Sequence, residues 1–230
     1  MCTDARGEQA KPLSRLCPAI LLLGPTGSGK TPLGELLEAE GLWGRRCVHF
    51  DFGMNLRQYA SGGEARDVLT RGEREFLVRV LESGALLEDE HFPIARKVLL
   101  GFLSSRGAGS DSLVALNGLP RHVGQARAME ALVSMEMVVH LACEPEVAAE
   151  RIRTDAGGDR RARADDGIAG VRKRIEVFRQ RTAPLLGYYG SRGVSVLRVD
   201  VGPRTTPSEV RAELERSRDC GGRCGVAVYV

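Results

Sequence analysis

Eight residues constrain this chain more than any composition does: Gly24-Pro25-Thr26-Gly27-Ser28-Gly29-Lys30-Thr31, which fit the pattern G-x-x-x-x-G-K-[ST]. They stand directly behind the apolar run Ala19 to Leu23 and ahead of a helix-forming stretch. A strand, a glycine-rich turn and a helix in that order make a phosphate-binding loop. Glycines let successive backbone N–H groups point at one centre, and the helix start adds positive potential there. Gly24, Gly27, Ser28 and Gly29 form the turn, Lys30 offers a mobile ammonium to the outer phosphates of a nucleoside triphosphate, and Thr31 offers a hydroxyl to Mg²⁺. A glycine turn with an incidental lysine is the bland alternative, and the four fixed positions in the right context weigh against it. The loop implies nucleotide binding without choosing the chemistry, since ATPases, GTPases, kinases and prenyl-transferring enzymes share it.

Further apolar runs at Cys47–Phe50, Leu113–Leu116, Met137–Leu141 and Val194–Val199 alternate with stretches of helical periodicity. That alternation predicts a parallel sheet with helices on both faces and ligands at the carboxyl ends of the strands. The clearest helix runs from Gly167 to about Thr182, where Ile168, Val171, Ile175 and Phe178 form one stripe and Pro184 ends or kinks it. At 230 residues, one large domain is expected over 18–216, with a loose polar arm at 1–17 and a tail at 217–230. The run from Asp155 to Arg163 is polar and glycine-containing, which predicts an exposed loop.

Composition excludes more than it selects. The longest apolar runs are five residues, against roughly 20 needed to cross a bilayer. No signal peptide is legible, so a cytoplasmic protein without membrane association is expected. A net charge of +3 does not by itself imply a nucleic-acid partner. Only four of the 33 basic residues are lysines, a bias that genomic base composition explains, but it makes Lys30 conspicuous. The six cysteines include no CxxC pair, so reduced thiols are expected, with Cys220 and Cys224 in an unstructured tail. No N-K-x-D segment for reading guanine follows, nor an ATPase-type apolar strand ending in Asp-Glu. Small-molecule phosphoryl transfer is the reading that remains strongest.

Several later segments carry a family resemblance. His49-Phe50-Asp51-Phe52-Gly53-Met54-Asn55-Leu56-Arg57 is one, Gly84 to Glu90 with Leu87 another, and Asn117-Gly118-Leu119-Pro120-Arg121 with Gln125 a third. Arg163-Ala164-Asp165-Asp166, Arg174, and Thr182-Ala183-Pro184 with Tyr188-Tyr189 complete the series. Together they resemble the adenylate kinase branch of the nucleoside monophosphate kinases, over roughly residues 18 to 216. The resemblance implies a three-layer P-loop NTPase fold with a five-stranded parallel sheet, a helical acceptor-binding insertion over 52–88, and a lid over 151–166. Eleven residues separate Arg151 from Arg163, which matches the family's short lid and leaves no room for a zinc-bearing hairpin.

By the same resemblance, Arg57 and Arg121 grip the acceptor phosphate, Leu87 walls the acceptor base, Gln125 reads adenine and Arg151 flanks the donor adenine. Lys30, Arg121, Arg163 and Arg174 then carry catalysis, with ATP and Mg²⁺ required, AMP the first-choice acceptor, and a monomer expected. The chemistry suits arginine, whose planar fork pairs two phosphate oxygens at once. Each arginine alone reads as a surface ion pair, and only the combination reverses that. Asp165 and Asp166 serve equally well as a helix cap or a lid hinge. Three segments depart from the family pattern. Asn117 stands in place of an aspartate that orders the water ligands of Mg²⁺, which predicts a weakened metal site. Phe52 and Met54 replace a threonine and an aspartate on the acceptor side. Thr31-Pro32 follows the loop lysine where a small residue and a threonine are usual, and Pro32 suits a first helical turn. A nucleotide-binding regulatory protein with weak or no kinase activity is the second expectation, and a tRNA dimethylallyltransferase, which shares the loop but not the later segments, a distant third.

Overall fold

A computed structural model describes residues 16–61, 68–83, 87–158 and 168–219. Five strands, β1 (Cys17–Leu23), β2 (Cys47–Asp51), β3 (Leu113–Asn117), β4 (Val133–Ala142) and β5 (Ser195–Asp200), form one sheet in the order β2-β3-β1-β4-β5. Every pairing is parallel. Nine helices of the described residues flank it: α1 (Lys30–Glu40), α2 (Phe52–Ser61), α3 (Arg71–Ser83), α4 (Phe92–Ser105), α5 (Val123–Met129), α6 (Pro145–Arg153), α7 (Ile168–Val177), α8 (Leu185–Gly190) and α9 (Pro207–Asp219). A 3-10 turn at Asp89–His91 precedes α4, and a π-helical turn at Phe178–Thr182 separates α7 from α8. The fold is therefore the α/β P-loop NTPase fold anticipated from the sequence.

The sheet is covered on both faces, which is why its central strands are continuous apolar runs rather than alternating ones. On one face Ala19, Leu21 and Leu23 join Val48, Phe50, Val114, Leu116 and Val138, packed against Phe92, Val98 and Leu99 and Leu185 from α4 and α8. On the other, Ile20 and Leu22 join Leu113, Ala115, Val139 and Leu141, packed against Leu33 and Leu37 of α1 and Val210 and Leu214 of α9. Odd and even residues of β1 thus feed two separate cores, as the period of a strand requires. Gly34 of α1 lies directly against the buried His49 ring of β2, so close that a Cβ there would overlap it.

The strands all end at one edge of the sheet, where the loop at Gly24 begins. Register places Asp51 opposite Asn117 between β2 and β3, and Leu22 opposite Asn117 between β1 and β3. Two polar residues therefore stand side by side at the strand ends, next to the phosphate loop. Cys17, read as the last residue of the arm, is the first of β1 and is buried. Cys17, Cys47 and Cys143 are free thiols. No helix among the described residues is long and apolar enough to cross a membrane.

Candidate active site

The loop after β1 turns on two glycines with left-handed backbone, Gly27 at φ 85° and Gly29 at φ 91°, conformations that cost a side-chain-bearing residue. Gly29 is also the N-cap of α1, so the helix start is aimed at the loop's concavity. Gly24 is required for a different reason: a Cβ there would press on Leu141 O and Ser28 Oγ. Pro32 falls in the first turn of α1, where the backbone N–H it lacks would have no helical partner. Lys30 Nζ donates to the carbonyls of Gly24 and Pro25, each at 2.7 Å, and holds the loop's open end.

A cleft of about 520 Å³ opens from this loop across the strand ends, and it brings most of the expected site residues together. Gly24, Gly27, Gly29, Lys30 and Thr31 form its phosphate-loop side, while Arg57 of α2, Arg121 before α5 and Arg174 of α7 face it from three other elements. Leu87, 3% exposed, lines it as well. Ser28 is buried beneath the loop and contributes an acceptor for Lys30 Nζ at 3.4 Å. Arg163, Asp165 and Asp166, with the second half of the expected lid, lie outside the described residues.

Arg121 is fixed before any phosphate arrives. Its Nε donates to Gly118 O at 3.0 Å, and its carbonyl accepts from Thr182 Oγ1 at 2.8 Å, tying this segment to the π-helical turn. Burial lowers the pKa of the guanidinium, Asp51 works against that and Arg57 adds to it. Arginine keeps its proton regardless, so a half-buried cation faces the cleft.

Two of the expected site residues are already engaged with backbone. Gln125 is 1% exposed and spends both ends of its amide on backbone: Oε1 accepts from Arg121 N at 2.8 Å and Nε2 donates to Leu87 O at 2.8 Å. It braces the cleft wall and does not line it. Arg151, 5% exposed, donates from Nε to Gly27 O at 3.0 Å and from Nη1 to Gly202, Pro203 and Thr205 carbonyls at 2.9 to 3.2 Å. It fastens the phosphate loop to the segment after β5 and still reaches the cleft.

The structure also adds residues to the site. Lys173 lines the cleft beside Arg174, and Phe52 and Phe178 line it as well. Asp51, 8% exposed, accepts from Thr31 Oγ1 at 3.1 Å and from Asn117 Nδ2 at 3.0 Å, both on Oδ2. Asn117 Nδ2 also donates to Thr31 Oγ1 at 3.1 Å. A hydroxyl has one proton and two lone pairs; with its proton on Asp51 and one lone pair on Asn117, Thr31 retains one acceptor site. A hydroxyl and a carboxylate beside a phosphate loop are hard oxygen donors, a set that fits Mg²⁺.

Comparison with known proteins agrees with this geometry. Residues 20–172 match a family described as AAA domain. The adenylate kinase of Synechococcus sp. (strain WH7803) is 34% identical over 209 residues, covering 86% of this chain and 97% of that protein. The chain belongs to the adenylate kinase family. The adenylate kinase of Stenotrophomonas maltophilia (strain R551-3) is 33% identical over 189 residues, covering 79% of this chain and 89% of that enzyme. That of Xylella fastidiosa (strain M23) is 32% identical over 189 residues.

Proposed function

We propose that this protein transfers a phosphoryl group from ATP to a nucleoside monophosphate, with AMP the first-choice acceptor. The observation that carries the reading is the convergence of Lys30 with Arg57, Arg121, Lys173 and Arg174 on one cleft from separate elements. Phosphoryl transfer spreads charge over equatorial oxygens and needs in-line positioning and cations more than a strong base. The loop's N–H groups and Lys30 bind the donor phosphates, and Arg57 and Arg121 orient the acceptor phosphate toward them. Arg174 and Lys173 add positive charge between the two, and Arg163, from the lid region, is proposed to join them. Thr31 would hold Mg²⁺, which when bound with ATP supplies charge neutralisation at the phosphate oxygens.

The engaged Gln125 amide and the Phe52 ring favour a second reading, a nucleotide-binding regulatory protein with weak or no kinase activity. Gln125 has one lone pair and one N–H already committed to backbone, and Phe52 offers no polar group to an acceptor base. A coupled assay of ADP release with ATP and AMP, CMP, UMP, GMP or no acceptor decides between them. AMP-dependent release well above the acceptor-free rate is the expected result. Tight ATP binding with no acceptor-dependent release establishes the regulatory reading, and absence of ATP binding overturns both.

A further inference from the structure

We infer that Asp51 is the positioning carboxylate of the donor's metal site, and that Asn117 is the amide that holds it there. The inference rests on the proposed ATP and Mg²⁺ site at the phosphate loop and names the residue that supplies its negative charge. Where the family has an aspartate at the end of β3, this chain has a neutral amide. Read from the sequence alone, that is a handicap. The structure places a carboxylate one strand away, at the directly opposed residue of β2.

The contacts show which part of Asp51 is committed to what. Asp51 Oδ1 accepts Met54 N at 2.8 Å and so caps α2. Capping needs only a short side chain with an oxygen acceptor, which Asn and Ser provide as well as Asp. It does not account for Oδ2, which receives both the Thr31 hydroxyl and the Asn117 amide at the rim of the cleft. Asn117 divides its two N–H groups between Asp51 Oδ2 and Thr31 Oγ1. Three side chains from α1, β2 and β3 thus close a triangle with one net negative charge. Asp51 Oδ2 draws the hydroxyl proton away, which leaves a Thr31 lone pair for a cation, and the carboxylate attracts water ligands of that cation by charge-assisted hydrogen bonds. A protonated or neutral residue at 51 would supply neither.

It follows that Asn117 is not a defect to be repaired. Aspartate at 117 alone would set two carboxylates side by side and remove the amide protons that Asp51 Oδ2 and Thr31 accept, so it should weaken metal binding. Exchanging the pair restores one carboxylate and one amide at the same two strand ends.

The test measures ATP affinity of the full chain by calorimetry, in EDTA and with Mg²⁺, and Mn²⁺ binding to the ATP complex by electron paramagnetic resonance. In Asp51→Asn the cap is retained, ATP affinity in EDTA should stay as in the native protein, and metal affinity should fall about 10–100-fold. Asn117→Asp should also lose metal affinity. The double exchange, Asp51→Asn with Asn117→Asp, should recover most of it, a non-additivity that marks direct coupling. Native-like Mn²⁺ affinity in Asp51→Asn, or tighter binding in Asn117→Asp, would overturn the inference. If either single variant fails to fold, the double exchange decides alone: native-like metal affinity supports the assignment and its loss overturns it. A native protein that binds no ATP in EDTA or with Mg²⁺ would instead defeat the donor-site reading underneath.

Discussion

The proposed donor side of the cleft is drawn largely in backbone, and the proposed acceptor side in side chains. On the donor side, Gly27 and Gly29 bend the chain, α1 starts on the loop, and Lys30 and Arg151 are held by carbonyl oxygens. On the acceptor side, Phe52, Leu56 and Leu87 form apolar walls, and Arg57 and Arg121 enter from different elements. A backbone site is specified by where glycine is tolerated, so its sequence changes little without losing the geometry. A side-chain site can exchange partners and keep its shape, and the Gln125 amide here is held on Leu87 O.

The largest effects should come from removing one cation on each side. Lys30→Ala should lower kcat by at least about 100-fold, the scale on which a preorganised charge-stabilising donor acts. Arg121→Ala should lower kcat/KM for the acceptor by about 10–100-fold, as loss of a charge-assisted hydrogen bond does, while KM for ATP stays nearly constant. Steady-state kinetics with each substrate varied in turn checks both. If Arg121→Ala raised KM for ATP as much as for the acceptor, the division into two sides would break.

A second pair contrasts stability. Gly34→Ala, on the donor side, forces a methyl group onto the buried His49 ring and should cost about 1–3 kcal/mol. Gly72→Ala, in the first turn of α3, meets nothing within 4 Å and should gain up to about 1 kcal/mol from helix propensity. Thermal melts should show these as shifts of opposite sign, roughly 2–4 °C per kcal/mol at this chain length. Equal tolerance at the two positions would mean that the donor side is no more tightly packed.

The smallest expected effect is in pH. His140, paired in register with Leu23 just before the phosphate loop, is held neutral: burial lowers its pKa from 6.5, Arg198 adds to that and Asp200 opposes it. Because the unfolded chain takes up this proton more readily, stability is full above about pH 6.5 and declines as the pH falls below it. Denaturant melts at pH 7 and pH 5 should show a smaller decline in His140→Gln than in the native protein.

Much of the scaffold could be read from the chain because apolar runs report burial directly. All five strands were legible, and so was the loop. β4 begins at Val133, four residues before the apolar run that reveals it, because Ser134 and Glu136 alternate outward at its exposed start. The stripe from Ile168 to Phe178 implies one continuous helix, but the backbone widens to a π-helical turn at Phe178, which side-chain periodicity does not encode. Asp51 stood inside a segment already noticed and carried no role, because its partner lies on β3, 66 residues away, and the strand order is not sequential. Gln125 shows the converse: a motif names a residue type but not the hydrogen bonds it has already made.

Arg151 has one further effect. Its Nε and Nη1 donate to carbonyl dipoles, and no carboxylate pairs with it among the described residues. Dipoles solvate a charge without cancelling it, so a positive charge stays fixed beside the phosphate loop, largely buried and less screened by salt than a surface charge. The neighbouring Cys143 thiol registers that field: burial raises its pKa, and Arg151 and Lys30 pull it back down. The loop therefore presents an incoming polyanion with a standing electrostatic potential that changing ionic strength should leave largely intact.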